Sequence, residues 1–329
     1  MLDRLAERVP VRMTVIAAQP PGLWPSHLRP VTSWVDASCD VGVEQSDDVT
    51  VDAAATRAAL SDWLACVPDI VEREARRLRS GFDLVIGDVP PPAFEAAAAA
   101  RVPSVALANF SWDWIYRELG FEDAAAICAS MYGTAGLLLE TAPAAPMDAF
   151  VRRHSLGLVT RRPSARRQHT RTSLGIGDHE QVVLLAVRPD SAALVSLPPQ
   201  SPGIRYLLPS GWPAGRLRED VLDECALEFL ELIAAADVVV GKPGYGLIGD
   251  AAASATRLLW VSRPGFPENA VLERWLRDHR CTREVSRDAL RSGEWSQDLR
   301  LLIEEPAPAP FDLSPADRAA EALAECLRA

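Results

Sequence analysis

The chain of 329 residues is almost without lysine: of its 34 basic side chains, 33 are arginine and one, Lys242, is lysine. It also has no basic excess. With 45 acidic residues its net charge is −11, which argues against a general nucleic-acid binder, since such proteins carry a basic face. No apolar run approaches the 18 residues that a membrane-crossing helix needs. The first residues, Met1-Leu-Asp-Arg-Leu-Ala-Glu-Arg8, are charged and amphipathic and lack the apolar centre of a signal peptide. The six cysteines (Cys39, Cys66, Cys128, Cys225, Cys281 and Cys326) are widely spaced and form no CxxC pair. A zinc site is therefore not expected, and reduced thiols in a cytoplasmic protein are the default. As small apolar side chains these cysteines also suit a core.

What is present is ordinary in bulk. Hydrophobic residues make up 48% and charged residues 24%, enough to build a large core, and the length suggests two domains. Both halves repeat one rhythm of apolar strand, turn and amphipathic helix. In the first half, 11–17, 82–88 and 102–108 read as strands, and 53–79 and 91–100 as helices. The second half offers strands at 181–187, 204–208, 237–241 and 257–262. Its helices are expected at 227–236, 247–254 and 269–278, with a last one at 315–328. Strands alternating with helices predict an α/β fold built on parallel sheets. The stretch 152–171 holds seven arginines and little periodicity, and reads as a linker or, equally, as a solvated helical face. The expected division is 1–150, a linker at 151–171, a second domain at 172–314, and a closing helix at 315–329.

One loop carries chemistry. A strand, then Gly241-Lys-Pro-Gly-Tyr-Gly246, then a helix, has the physics of a phosphate cradle. Glycines allow close backbone approach, and the helix start offers N–H groups and a positive dipole end to an anion. Lys242 adds a cation. The spacing matches neither a Walker A loop nor GxGxxG, and such a turn also serves purely structural ends. Asp250 follows within the helix, placed for ribose hydroxyls or for the helix dipole. Arg263-Pro-Gly-Phe-Pro-Glu-Asn269 follows the next strand at the carboxyl edge, where open α/β sheets bind ligands. Glu268 there suits a ligand or a helix cap.

These two segments resemble the donor domain of the GT-B glycosyltransferases. The similarity is strongest to the glycosyltransferase-like module found alone in bacteria and joined to the sugar kinase in plant L-arabinokinase. In the first half, Asp40-Val-Gly-Val-Glu-Gln-Ser-Asp47, Asp88-Val-Pro-Pro-Pro-Ala-Phe94 and Asn109-Phe-Ser-Trp-Asp-Trp-Ile-Tyr116 resemble the same module. The resemblance implies two Rossmann-like domains facing a cleft, the second holding a nucleotide diphospho-sugar and the first a hydroxyl acceptor. It implies transfer without a metal or cofactor. The donor would meet Lys242, Pro243, Gly244, Tyr245, Gly246, Asp250, Arg263, Glu268 and Asn269, with Asp250 in place of the family's usual glutamate on ribose. The acceptor side would comprise Gln45, Asn109, Phe110, Trp112, Trp114 and Tyr116, the tryptophans equally suiting core packing. Asp113, Asp47 and Asp88 are the candidate proton acceptors, Asp113 or Asp47 first among them, and the resemblance also implies that the last helix, 315–329, crosses back to the first domain.

Two departures qualify the resemblance. Members of the family open with a strand and a glycine- and histidine-rich turn, whereas this chain begins within the following helix. That strand is usually central, so open apolar sheet edges are expected without it. The strand at 182–187 runs into Arg188-Pro-Asp190 instead of a Gly-Gly turn, and Arg188 would substitute a cation for close backbone approach. None of His27, His154, His169, His179 and His279 lies in a motif that nominates it as a base. A non-catalytic nucleotide-sugar-binding partner protein and a sugar-nucleotide epimerase are therefore kept as alternatives, and a homodimer or companion protein is left open.

Overall fold

A computed structural model describes residues 1–18, 32–47, 50–161, 163, 167–187, 195–209, 221–224, 227–279, 281–306, 308–309 and 311–328. For 32, 46, 47, 50, 209 and 221–224 only the backbone is described. The chain divides into two compact units, 1–159 with 313–329, and 160–312.

The first unit opens with helix α1 (Leu2–Ala6) and two parallel strands, β1 (Met13–Ile16) and β2 (Thr32–Val35). A short antiparallel pair follows, β3 (Gln45–Asp47) and β4 (Thr50–Val51). Helix α2 (Ala53–Leu78) starts where the Asp52 carboxylate accepts from the Ala54 and Ala55 N–H groups, satisfying donors that a helix start leaves open. A four-stranded parallel sheet comes next: β5 (Val85–Gly87), β6 (Ser104–Ala108), β7 (Leu137–Thr141) and β8 (Arg153–Gly157), in that spatial order. Between these strands run α3 (Pro91–Ala100), α4 (Trp112–Glu118) and α5 (Glu122–Tyr132). Prolines at the first turn of α3 give up N–H groups that would have no helical partner.

Among the described residues β1 pairs only with β2, and β5 only with β6. Each keeps one unpaired edge, and the residues of β1 are only half-buried.

The second unit starts with α6 (Arg167–Ser173) and holds one six-stranded sheet, all parallel. Its strands are β9 (Gln181–Ala186), β10 (Ile204–Pro209), β11 (Val221–Glu224), β12 (Val238–Gly241), β13 (Arg257–Trp260) and β14 (Thr282–Glu284). Their spatial order is β11-β10-β9-β12-β13-β14, the doubly wound arrangement in which the winding reverses between β9 and β12. Helices α7 (Phe229–Ala235), α8 (Tyr245–Ala253), α9 (Pro267–Asp278), α10 (Arg287–Ser292) and α11 (Ser296–Glu304) complete it. Val183, Leu185, Val238, Val240 and Leu259 pack on one face of the sheet with Trp295, Leu299 and Leu302. Val182, Leu184, Val239 and Leu258 pack on the other with Ile248, Leu272 and Leu276. Apolar residues facing both ways explain why these strands read as unbroken hydrophobic runs.

Helix α12 (Pro315–Cys326) returns to the first unit. Its Ala319, Ala320 and Leu323 are buried with Leu5, Val105, Leu139 and Leu156.

Within the arginine-rich stretch, read as a linker or equally as a solvated helical face, the structure places β8 and the start of α6, with the described residues between them irregular. Arg153 lies in β8 and pairs with Glu140 at 2.6 Å and Asp148 at 3.0 Å. Arg167 and Arg171 lie in α6 and converge on Asp237 at 2.6 and 3.2 Å. Arg171 also donates to the carbonyls of Ala235 and Gly177, and Arg167 to that of Ala234. These cations thus cap the carboxyl end of α7, where a helix dipole is negative. Three of the seven arginines, Arg153, Arg167 and Arg171, are thus held by fixed partners, and the division between units falls after Val159.

Candidate functional site

The second unit presents its candidate site at the winding reversal. Gly241, the last residue of β12, lies beside Ala186 of β9. A Cβ at Gly241 would stand 3.0 Å from the Ala186 carbonyl oxygen and 3.0 Å from Leu247 Cδ2. Only glycine lets the strand end, its neighbour and the start of α8 come this close. Gly244 caps α8 in an extended conformation without a side-chain cap. Among the described residues a Cβ at Gly244 or Gly246 would meet nothing within 4 Å. Packing against the described residues therefore gives no reason for these two glycines, and glycine there suits access to the helix start. Lys242 and Tyr245 are half-buried and Pro243 is buried.

Glu268, in the first turn of α9, acts on Tyr245 of this turn, and Arg263, in the loop after β13, acts on Glu268. The Arg263 guanidinium lies 3.8 Å from the centre of the Phe266 ring. Burial pushes the Glu268 carboxyl above its ordinary pKa, partly offset by Arg263. Burial, and then the Glu268 carboxylate, push the Tyr245 phenol upward. Glu268 thus acts electrostatically on Tyr245, and Arg263 on Glu268. Asn269 is engaged elsewhere: its amide nitrogen donates to Glu273 Oε1 and, at 3.3 Å, to Ser262 Oγ. Glu273 is held in turn by Arg277 at 2.8 Å. Asp250 is 4% exposed, and both its carboxylate oxygens accept from Arg161, by Nε at 3.3 Å and by Nη2. Arg161 was not anticipated; it stood among seven neighbouring arginines with nothing to single it out. Arg188 lies outside the described residues.

The first unit gathers a second constellation at the carboxyl ends of β5 and β6. Trp112, half-buried, stacks on Tyr116 with ring centres 5.4 Å apart and meets Phe110 edge-on at 5.2 Å. Its indole N–H donates to Asp40 at 2.9 Å, and the Tyr116 hydroxyl donates to the Val41 carbonyl. Asp40 was quoted in a motif but assigned no role. Asp88 follows β5, and solvent reaches it. Even so, the protein around it raises its pKa, chiefly by desolvation and then by the Asp40 carboxylate. A carboxylate that is open to water yet set among protein is placed to exchange a proton. Desolvation likewise raises Asp40, against the lowering effect of the Trp112 bond.

Asp113 is placed differently. It is 3% exposed and pairs with Arg117 at 3.4 Å. Trp114 is buried and Asn109 half-buried. Gln45 is exposed on β3, and of Asp47 only the backbone is described. His27 lies outside the described residues.

No protein-family profile matches the sequence. Solved structures match it in fold. The calicheamicin glycosyltransferase CalG4 superimposes with a TM-score of 0.60 at 15% identity, over 99% of this chain and 89% of that one. Arabidopsis thaliana UGT89C1 gives 0.64 at 13% identity, over 97% and 89%. MurG of Acinetobacter baumannii gives 0.55 at 11%, over 97% and 99%. The fold is that of the GT-B glycosyltransferases. In sequence, the chain is similar to L-arabinokinase of Arabidopsis thaliana, 32% identical over 282 residues. That match takes in 80% of this chain but 26% of the plant protein, so the chain spans about a quarter of its relative's length. The likeness carried by the motifs is therefore present across most of the sequence.

Proposed function

We propose that the protein transfers a sugar from a nucleotide diphospho-sugar to a hydroxyl acceptor without a metal. The observation that carries this reading is the glycine-lined helix start at the winding reversal of the second unit, which the described residues leave open, with Lys242 in its turn and Glu268, itself acted on by Arg263, against Tyr245. Oriented N–H groups and fixed cations stabilise a departing diphosphate as its charge develops. The acceptor oxygen bonds to the anomeric carbon while the bond from that carbon to the diphosphate oxygen breaks, its electron pair leaving with the diphosphate. The acceptor's proton goes to a carboxylate. Asp88 suits this step best, because its raised pKa makes it a stronger base than an ordinary aspartate. Asp113 is buried against a cation and offers no comparable access. Trp112 and Phe110 supply flat apolar faces for the acceptor.

A solved UGT89C1 structure contains UDP, which makes uridine nucleotides the first donors to try. Titration calorimetry with UDP-, GDP- and dTDP-sugars should give saturable heat for at least one, with slow donor hydrolysis when no acceptor is present. Silence in every titration would refute the proposal.

A second reading, a binding partner without turnover, is favoured by the burial of Asp113. It predicts nucleotide-sugar binding that no acceptor and no Asp88 substitution converts into a difference in product.

A further inference from the structure

A buried carboxylate without a cation is costly. Among the described residues Asp250 is offset by Arg161, which is itself two-thirds exposed at 66% against 6% for Asp250. The pair is thus asymmetric. Asp250 is fixed on α8, in the turn after the open helix start, while Arg161 reaches it on a long flexible stem from the beginning of the unit. The fork engages both carboxylate oxygens. Two N–H donors on one carboxylate reproduce the pattern of two adjacent hydroxyls, as on a ribose ring. Within four residues of the same helix, Gly246 leaves its surroundings open.

From this we infer that Arg161 occupies the seat of the nucleotide's ribose. The vicinal diol of the incoming donor displaces the guanidinium from Asp250, and Arg161 swings to solvent. The inference rests on the donor reading proposed above and goes further, since it makes Arg161 a competitor of the ligand. It also makes Asp250 the group that selects a ribonucleotide over its 2′-deoxy counterpart. Binding then includes the energy of breaking one ion pair, so only ligands offering both hydroxyls recover it in full. No bond other than hydrogen bonds changes, and Arg161 keeps its proton throughout.

The test compares UDP and 2′-deoxy-UDP on the full chain by calorimetry, with thermal unfolding in parallel. Arg161→Met should bind UDP on the order of tenfold more tightly, because the competent state no longer has to be vacated. The same variant should melt lower without ligand, and UDP should raise its melting temperature more than that of the parent. Arg161→Lys, with a single ammonium in place of the fork, should fall between. Asp250→Asn should lose the preference for UDP over 2′-deoxy-UDP. Weaker or unchanged UDP binding by Arg161→Met overturns the inference, as does a preference that survives in Asp250→Asn. If the parent binds UDP and Arg161→Met binds it no better, only the competition is lost. If neither the parent nor Arg161→Met binds UDP or any other nucleotide tried, the donor reading falls with it.

Discussion

Two residues carry most of the chemistry expected of each unit, and each makes a separate prediction. Lys242→Ala removes the one cation within the turn. The loss of a charge-assisted contact of about 1.5–3 kcal/mol should weaken UDP binding by roughly tenfold or more, read by calorimetry, with the melting temperature little changed. Asp88→Asn should abolish transfer while leaving nucleotide affinity intact, since Asp88 belongs to the other unit. Its raised pKa sets the sign of two further effects. In the parent, kcat/KM should fall on the acid side as Asp88 takes up its proton, at a pH above that of an ordinary aspartate. Because folding favours the protonated form of a group with a raised pKa, ionised Asp88 opposes folding, and this contribution grows as pH rises through its titration. Asp88→Asn should therefore melt no lower than the parent at neutral pH. A lower melting point would show that the carboxylate is structural.

At the scale of elements, position 241 is the narrowest constraint. Gly241→Val would force branched carbons against the Ala186 carbonyl and Leu247, at about 1–3 kcal/mol of overpacking, and would push α8 off the strand end. Chemical denaturation measures the first effect, and loss of nucleotide binding the second. Asp237→Ala should cost more, about 3–5 kcal/mol, because it leaves the buried Arg171 guanidinium without its anion.

The long, strongly apolar or periodic elements were legible in the sequence, whereas short ones such as β7, β8, β14, α4, α5, α10 and α11 were not anticipated. Strands buried on both faces show as apolar runs, and helix α3 announces itself by its prolines. The donor-side turn was legible because glycine, proline and a solitary lysine are local signals. What escaped was long-range pairing. Nothing near Arg161 points to Asp250, and nothing near Asp40 points to Trp112. Likewise, the arginines of α6 look solvated until Asp237, over sixty residues later, appears beside them. The sequence favoured Asp113 over Asp88, since the burial that sets Asp113 apart is a property of the fold and not of a motif.

At the scale of the molecule, the second unit is built wholly from 160–312 and has its own packed faces. The first unit needs both ends of the chain, because Ala319, Ala320 and Leu323 of α12 complete the core around Leu5, Val105 and Leu139. Ending the chain after Asp312 should therefore lower the stability of the first unit and spare the second. Calorimetry should show one thermal transition moving down while nucleotide still shifts the other. The return of α12 also bears on how the protein is made. A chain emerging from the ribosome ordinarily completes its leading domain first. Here the first unit must wait for α12, which is translated after the whole of the second unit, while the second unit has all its strands in hand earlier. The order of maturation is thus reversed relative to the order of translation, and the half that begins first is the half that finishes last.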